Sequence, residues 1–75
     1  MPTEVSGDVE TIEVNGEVRE LPEPGTVARL LELHRLAPDR VVVELNREIL
    51  RKEALTTAAL RPGDRIEIVQ FVGGG

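Results

Sequence analysis

The last eleven residues, RIEIVQFVGGG, carry an apolar strand pattern through the only aromatic residue, Phe71, into Gly73, Gly74 and Gly75. Ordering glycine costs more backbone entropy than ordering any other residue, so three together suit a segment whose value is thinness. Such an arm has no side chains to clash in a narrow channel, and the chemistry it could deliver is that of its terminal carboxylate. A carboxylate is a poor electrophile, but joined to the phosphate of ATP it becomes an acyl-adenylate with a good leaving group. A sulfur donor that displaces AMP would leave a thiocarboxylate. On this reading Gly75 is the reactive group and not a catalyst, and Gly73 and Gly74 complete the arm. Val69, Phe71 and Val72 supply an apolar surface beside it. Transfer of the same activated carboxylate to a lysine amine is the second chemistry open to such an end, and an inert tail is the third.

The rest of the composition removes competing chemistries. The chain has 75 residues, enough for one domain but not for a deep pocket with rigid walls. There is no cysteine, which excludes disulfides, thiolate metal sites and a thiol carrier. No HExxH pattern or histidine array points to a metal, so no metal and no stably bound cofactor are expected; ATP would be consumed by a partner. The formal net charge of -5 argues against nucleic acid or an anionic membrane and for a protein partner with a basic face. The start, MPTEVSGDVE, lacks the basic and apolar regions of a secretion signal, and no apolar run is long enough to span a bilayer; a cytoplasmic address is expected. The acidic residues read as solubility features, some of which could steer association. Lys52 is the only lysine, which disfavours a modifier that forms chains on itself.

The arm must be positioned by what precedes it. Residues 1–10 are expected to form a flexible leader, 11–72 the folded domain and 73–75 the flexible glycine tail. In TIEVNGEVREL, Ile12 and Val14 alternate with Thr11 and Glu13, and Asn15-Gly16 is a two-residue hairpin turn, since both residues tolerate positive φ. Val18 is expected to continue the apolar face on the second strand. After PEPGT, Thr26 can cap a helix with Val27, Leu30, Leu31 and His34 at i, i+3, i+4 and i+7; Arg29 occupies the position a capping box would need. His34 is expected to be partly buried or placed near the helix dipole, and Leu36 to fold back over the core. In RVVVELN, Val41, Val43 and Leu45 share one face of a central strand, and Val42, Glu44 and Asn46 the other. Asn46-Arg47 turns into a brief strand, Glu48 to Leu50. An irregular crossover follows, with a helical turn around Ala54 to Ala59, and Pro62-Gly63 forms a type II turn. The last strand is expected over Arg65 to Val72. If Ile66 and Ile68 face the helix, Glu67, Val69 and Phe71 face away, and Val42 extends an uncovered apolar patch.

The predicted fold is therefore α+β, a mixed sheet packed on one helix. The order suits a β-grasp, with the terminal strands parallel at the centre, or a small barrel. IEVNGEVREL, GTVARLLE, VVVELNREIL and above all LRPGDRIEIVQFVGGG resemble the ThiS family of sulfur carriers, ubiquitin-like β-grasp proteins of thiamine biosynthesis, from about Thr11 to Gly75. The resemblance implies that Gly75 is adenylated by a ThiF-type adenylyltransferase and takes sulfur from a donor such as a cysteine desulfurase or rhodanese-type protein. The thiocarboxylate would then be presented to thiazole synthase. Gly74 and Gly75 match the family's diglycine end, Gly73 a glycine found before it in many members, and Val69, Phe71 and Val72 its tail-proximal apolar region. The sulfur carriers of molybdopterin synthesis share the fold and the diglycine, and they and the protein modifiers are the alternatives.

Overall fold

The structure, a computed structural model, describes residues 9–71. The expectations for residues 1–8, for Val72 and for Gly73, Gly74 and Gly75 lie outside the described residues.

Strand β1 (Thr11–Val14) and strand β2 (Glu17–Glu20) are joined at Asn15 and Gly16, whose φ angles of 51° and 84° are the pair that a type I′ turn requires. Glu10 already belongs to this hairpin, since its carbonyl accepts the Leu21 N–H at 2.8 Å. Register then decides which residues share a face. Val14 stands opposite Glu17, and Glu13 opposite Val18. Ile12 and Val14 are buried, so Val18 lies on the other side of the sheet and is 70% exposed. The expectation that Val18 continues the core face is thereby corrected.

Helix α1 (Val27–Leu33) starts where Thr26 Oγ1 accepts the Arg29 N–H at 3.0 Å, and it buries Val27, Leu30 and Leu31. It ends in a Schellman motif, with Leu36 N–H bonded to the Leu31 carbonyl and Arg35 N–H to that of Glu32. Arg35 takes the left-handed position, φ 58°, that glycine usually fills. The reversal brings Leu36 back onto the core and turns His34 outward. His34 is thus exposed at the helix C-cap, and the apolar stripe closes at Leu31.

Pro38–Arg40 form a single 3-10 turn that leads into β3 (Val41–Leu45), where Val41 and Val43 are buried. A second two-residue turn, Asn46 and Arg47 with φ of 52° and 73°, leads to β4 (Glu48–Ile49). The crossover's helical turn is of 3-10 type and spans Lys52–Thr56, earlier than the expected Ala54 to Ala59, because Ala59 bridges to Thr26 in extended form. Gly63, at φ 89°, occupies the third position of the turn closed by the 3.1 Å bond from Asp64 N–H to the Arg61 carbonyl. Strand β5 (Arg65–Gln70) follows; Phe71 adds one further ladder bond, 2.9 Å from its N–H to the Arg40 carbonyl.

The five strands run in the order β2-β1-β5-β3-β4, with β1 and β5 parallel and every other pair antiparallel. The sheet is open, with β2 and β4 at its edges. Ten buried apolar residues, among them Ile12, Leu31, Val43 and Ile66, fill the space between α1 and one face of the sheet. Among the described residues no layer covers the opposite face.

Candidate functional site

Strand β5 is the element that leads to the C-terminal glycines, and its position is set by two asparagines as much as by its neighbours. Parallel pairing with β1 ends at Val14 and Ile66. Beyond it, the Asn15 side chain takes over the role of a strand, accepting the Ile68 N–H at 2.8 Å and donating to the Ile68 carbonyl at 3.3 Å. At the other end of β5, Asn46 Oδ1 accepts the Arg65 N–H at 2.9 Å, and Asn46 Nδ2 donates to Asp64 at 3.1 Å. Both asparagines have left-handed backbones, which asparagine tolerates better than other residues with a side chain. Each therefore serves a turn with its backbone and β5 with its amide. Sequence reasoning identified the turns but not the clamps; the only available signal was the recurrence of asparagine at the first turn position of both hairpins.

With β5 held in this way, its alternation separates two surfaces. Ile66 is fully buried and Ile68 packs against the core, both on the helix side. Val69 is 60% exposed and Phe71 50%, both on the uncovered side. Val42 stands directly opposite Val69. Phe71 lines a shallow depression of about 220 Å³ that it shares with Val42, Ile49 and Lys52. Three of the residues singled out in the sequence, Val42, Val69 and Phe71, are thus brought together where β5 ends. Ile49 was missed. It is 68% exposed and faces the same side because it pairs with Glu44, a placement that the two-residue turn at Asn46 and Arg47 dictates.

Charge is arranged on the same face. Glu13 and Arg65, opposite one another on β1 and β5, form an exposed pair at 2.9 Å. Glu44 and Glu67 stand opposite one another on β3 and β5. Among the described residues no group of three or more acidic, histidine or cysteine side chains could hold a metal ion. No described helix is long and apolar enough to cross a membrane. A concavity of about 540 Å³ lies beside α1 among Pro24, Ala28, Leu31 and Leu36. The described residues thus present an exposed apolar surface where β5 ends.

A mixed sheet with parallel terminal strands at its centre, one helix across one face and the last strand leading to a glycine end defines a ubiquitin-like β-grasp protein. Residues 12–75 match the model of the ThiS family. The chain is 42% identical over 65 residues to the sulfur carrier protein ThiS of Bacillus subtilis, covering 85% of this chain and 98% of that protein. It is also 40% identical over 62 residues to a thiazole synthase of Paramagnetospirillum magneticum, covering 83% of this chain but only 19% of that enzyme's length. The crystal structure of the thiamine biosynthesis protein ThiS from Geobacter metallireducens superimposes with a TM-score of 0.69 at 34% identity, over 87% of this chain and 99% of that one. The chain belongs to the ThiS family.

Proposed function

We propose that this chain is a sulfur carrier for thiamine thiazole biosynthesis and that the Gly75 carboxylate is the group that bears the sulfur. The observation that carries the reading is the end of β5, clamped through Phe71 with its exposed apolar residues on the uncovered face, in a chain so similar to a sulfur carrier along nearly that protein's whole length. The chemistry runs in three steps. A carboxylate oxygen of Gly75 attacks the α-phosphorus of ATP and pyrophosphate leaves, giving an acyl-adenylate. A donor's cysteine persulfide, of the cysteine desulfurase or rhodanese type, attacks the acyl carbon with its outer sulfur and AMP leaves, giving an acyl disulfide; a second thiol then attacks the donor's cysteine sulfur, so that the thiocarboxylate departs and the donor cysteine is left in a disulfide with that thiol. Thiazole synthase then takes the sulfur. The adenylating groups and any metal belong to a ThiF-type adenylyltransferase, and the carrier acts as a cosubstrate. The similarity to a segment of a thiazole synthase supports that enzyme as the recipient, since a carrier-like segment and the synthase share one polypeptide there.

The geometry bounds how such partners must dock. The last described ladder bond is at Phe71, and the four residues 72–75 span at most roughly 13–14 Å when fully extended. The activating centre must therefore come within that distance of the end of β5. Holding four residues in one conformation costs about 4–8 kcal/mol of backbone entropy. Completing the burial of Ile49, Val69 and Phe71 returns on the order of 3–5 kcal/mol. Apolar contact at these three residues is thus of the same order as the ordering cost, and backbone contacts of Val72, Gly73 and Gly74 inside the channel would add to it.

The test is intact-mass analysis after incubation with the cognate ThiF-type enzyme, ATP and a sulfur source. The expected product is heavier by the difference between one sulfur and one oxygen, located at Gly75. Absence of activation, under conditions that modify a known carrier, rejects the assignment. Delivery of the sulfur to the thiazole product by the synthase, compared with molybdopterin synthase as acceptor, decides the pathway.

A further inference from the structure

Every basic residue of the chain but one is an arginine, so Lys52 carries the only side-chain amine. The distinction is chemical, because a guanidinium keeps its proton and does not attack an acyl carbon, whereas an amine can. Lys52 opens the 3-10 turn Lys52–Thr56 and is exposed. It lines the depression of about 220 Å³ at the end of β5, together with Phe71, Pro38 and Asp39. Asp39 is the one carboxylate in that lining, and among the described residues Lys52 closes no ion pair with it or with any other group. The fold thus sets the one side-chain amine beside Phe71, the last residue that the ladder of β5 holds. The four residues 72–75 reach at most roughly 13–14 Å beyond that point, and the lysine's four-carbon stem adds to the span. The carboxylate that is activated and an amine able to attack it therefore lie within reach of one another in the same chain.

We propose that Lys52 is an intramolecular acceptor for the activated end: when no sulfur donor takes the acyl group of adenylated Gly75, the Lys52 amine does, and the chain closes on itself. The inference rests on the reading that Gly75 is adenylated by a partner. In its uncharged form the amine attacks the acyl carbon with its lone pair. The carbon–nitrogen bond forms, the bond from that carbon to the phosphate oxygen breaks, AMP leaves with the electron pair, and the nitrogen gives one proton to solvent. The product is an isopeptide amide between Lys52 and Gly75. Closure is favoured because the fold has already brought positions 52 and 71 together, so only residues 72–75 and the lysine stem remain to be ordered. A flexible link this short gives an effective concentration in the millimolar range. The thiocarboxylate escapes this fate, since as an anion with no good leaving group it resists an amine as the carboxylate does. Sulfur loading and ring closure are therefore two exits from one intermediate. In the partner's channel an extended arm carries Gly75 away from Lys52; an adenylate that leaves the channel before sulfur arrives comes within its reach, and the amide then withdraws that chain from further sulfur transfer.

The test incubates the full chain with its cognate adenylating enzyme and ATP, without a sulfur donor, and follows intact mass and pyrophosphate release. The expected product is a monomer lighter than the starting chain by one water. It survives hydroxylamine, which cleaves acyl-adenylates, and proteolysis yields a branched peptide that joins Gly75 to Lys52. With the chain at about 10 μM, a millimolar effective concentration favours closure over transfer between chains by about a hundredfold. Lys52→Arg keeps the charge and is expected to lower the ratio of water-loss product to pyrophosphate by about that factor; using the ratio removes any change in binding to the enzyme. Lys52→Arg combined with Arg61→Lys restores a single lysine but places it before β5, whose six residues put roughly 20 Å of strand between it and Phe71. This variant is expected to give at most about a tenth of the unsubstituted ratio, because the arm is too short to run back along the strand. A persulfide donor in excess is expected to replace the water-loss product by the thiocarboxylate. An amide mapped to the amino terminus, a yield that rises with chain concentration, an undiminished ratio in either variant, or indifference to the donor overturns the proposal. Pyrophosphate release with no water-loss product overturns ring closure and leaves the carrier reading standing. No pyrophosphate release, under conditions that activate a known carrier, brings down both.

Discussion

The two sides of β5 use the same alternating sequence for opposite ends. On the helix side, Ile66 is 0% exposed and Ile68 packs on the core; on the uncovered side, Val69 and Phe71 remain at least half exposed. The side chains are of similar chemistry, so hydrophobicity does not distinguish them. What distinguishes them is whether the domain itself supplies a covering layer. A single helix can cover one face of a five-stranded sheet, and the second face is available to other proteins. The helix side therefore determines whether the chain folds, and the uncovered side what the folded chain can meet.

The comparison breaks most visibly at Ile66. Ile66→Ala leaves a cavity in a small, fully packed core and is expected to cost about 2–5 kcal/mol, measured by denaturant titration. That is a large share of the 5–15 kcal/mol typical of a folded domain, so a value under about 1 kcal/mol would mean that the core is not centred on β5. Phe71→Ala tests the other side. Its stability cost is expected to stay below about 1 kcal/mol, whereas affinity for the activating enzyme falls about tenfold through the lost apolar burial. Unfolding of the isolated domain without a change in affinity would show that Phe71 belongs to the core.

A smaller effect sharpens the claim that β5 is clamped from its β1 side. Asn15→Gly keeps the positive φ that the turn needs but removes both side-chain bonds to Ile68. The net loss is expected to be about 1 kcal/mol, or roughly 4–8 °C in melting temperature. Amide exchange at Ile68 should accelerate more than at Val43, on the far side of β5. Equal acceleration at both sites would reduce the clamp to a general contribution to stability.

These cases show how far the sequence could be read. The alternation in RIEIVQF, the positive-φ tolerance of Asn15-Gly16 and the Pro62-Gly63 turn are local signals, and they located β5, both sides of it and the hairpin. Val18 was misplaced because an apolar residue does not declare its face. A two-residue turn after Val14 pairs Val14 with Glu17, and this register forces Val18 outward. Of the two placements expected for His34, near the helix dipole holds, since it is the C-cap, and partial burial does not; Arg35 gives no hint of a left-handed C-terminal position, where glycine would have ended the helical pattern visibly. The clamps were illegible for a different reason. Asn15 bonds a residue 53 positions away, and such a contact exists only once β1 and β5 lie side by side. The candidate site was legible as a list of residues, because period two places Val69 and Phe71 together; Ile49 joins them only through the turn that brings β4 alongside β3.

The smallest effect asks whether the uncovered face is one surface or two. Val18, 70% exposed, lies on the same side as Val69 but on the edge strand β2, with β1 between it and β5. Exposed apolar residues scattered singly need no functional explanation, whereas the grouping of Ile49, Val69 and Phe71 does. Val18→Thr keeps a β-branched side chain suited to a strand. It is expected to change stability by less than about 0.5 kcal/mol and to leave affinity for the activating enzyme unaltered. A loss comparable to that of Phe71→Ala would extend the docking footprint across all five strands. An unaltered affinity confines it to the half of the face where β5 ends.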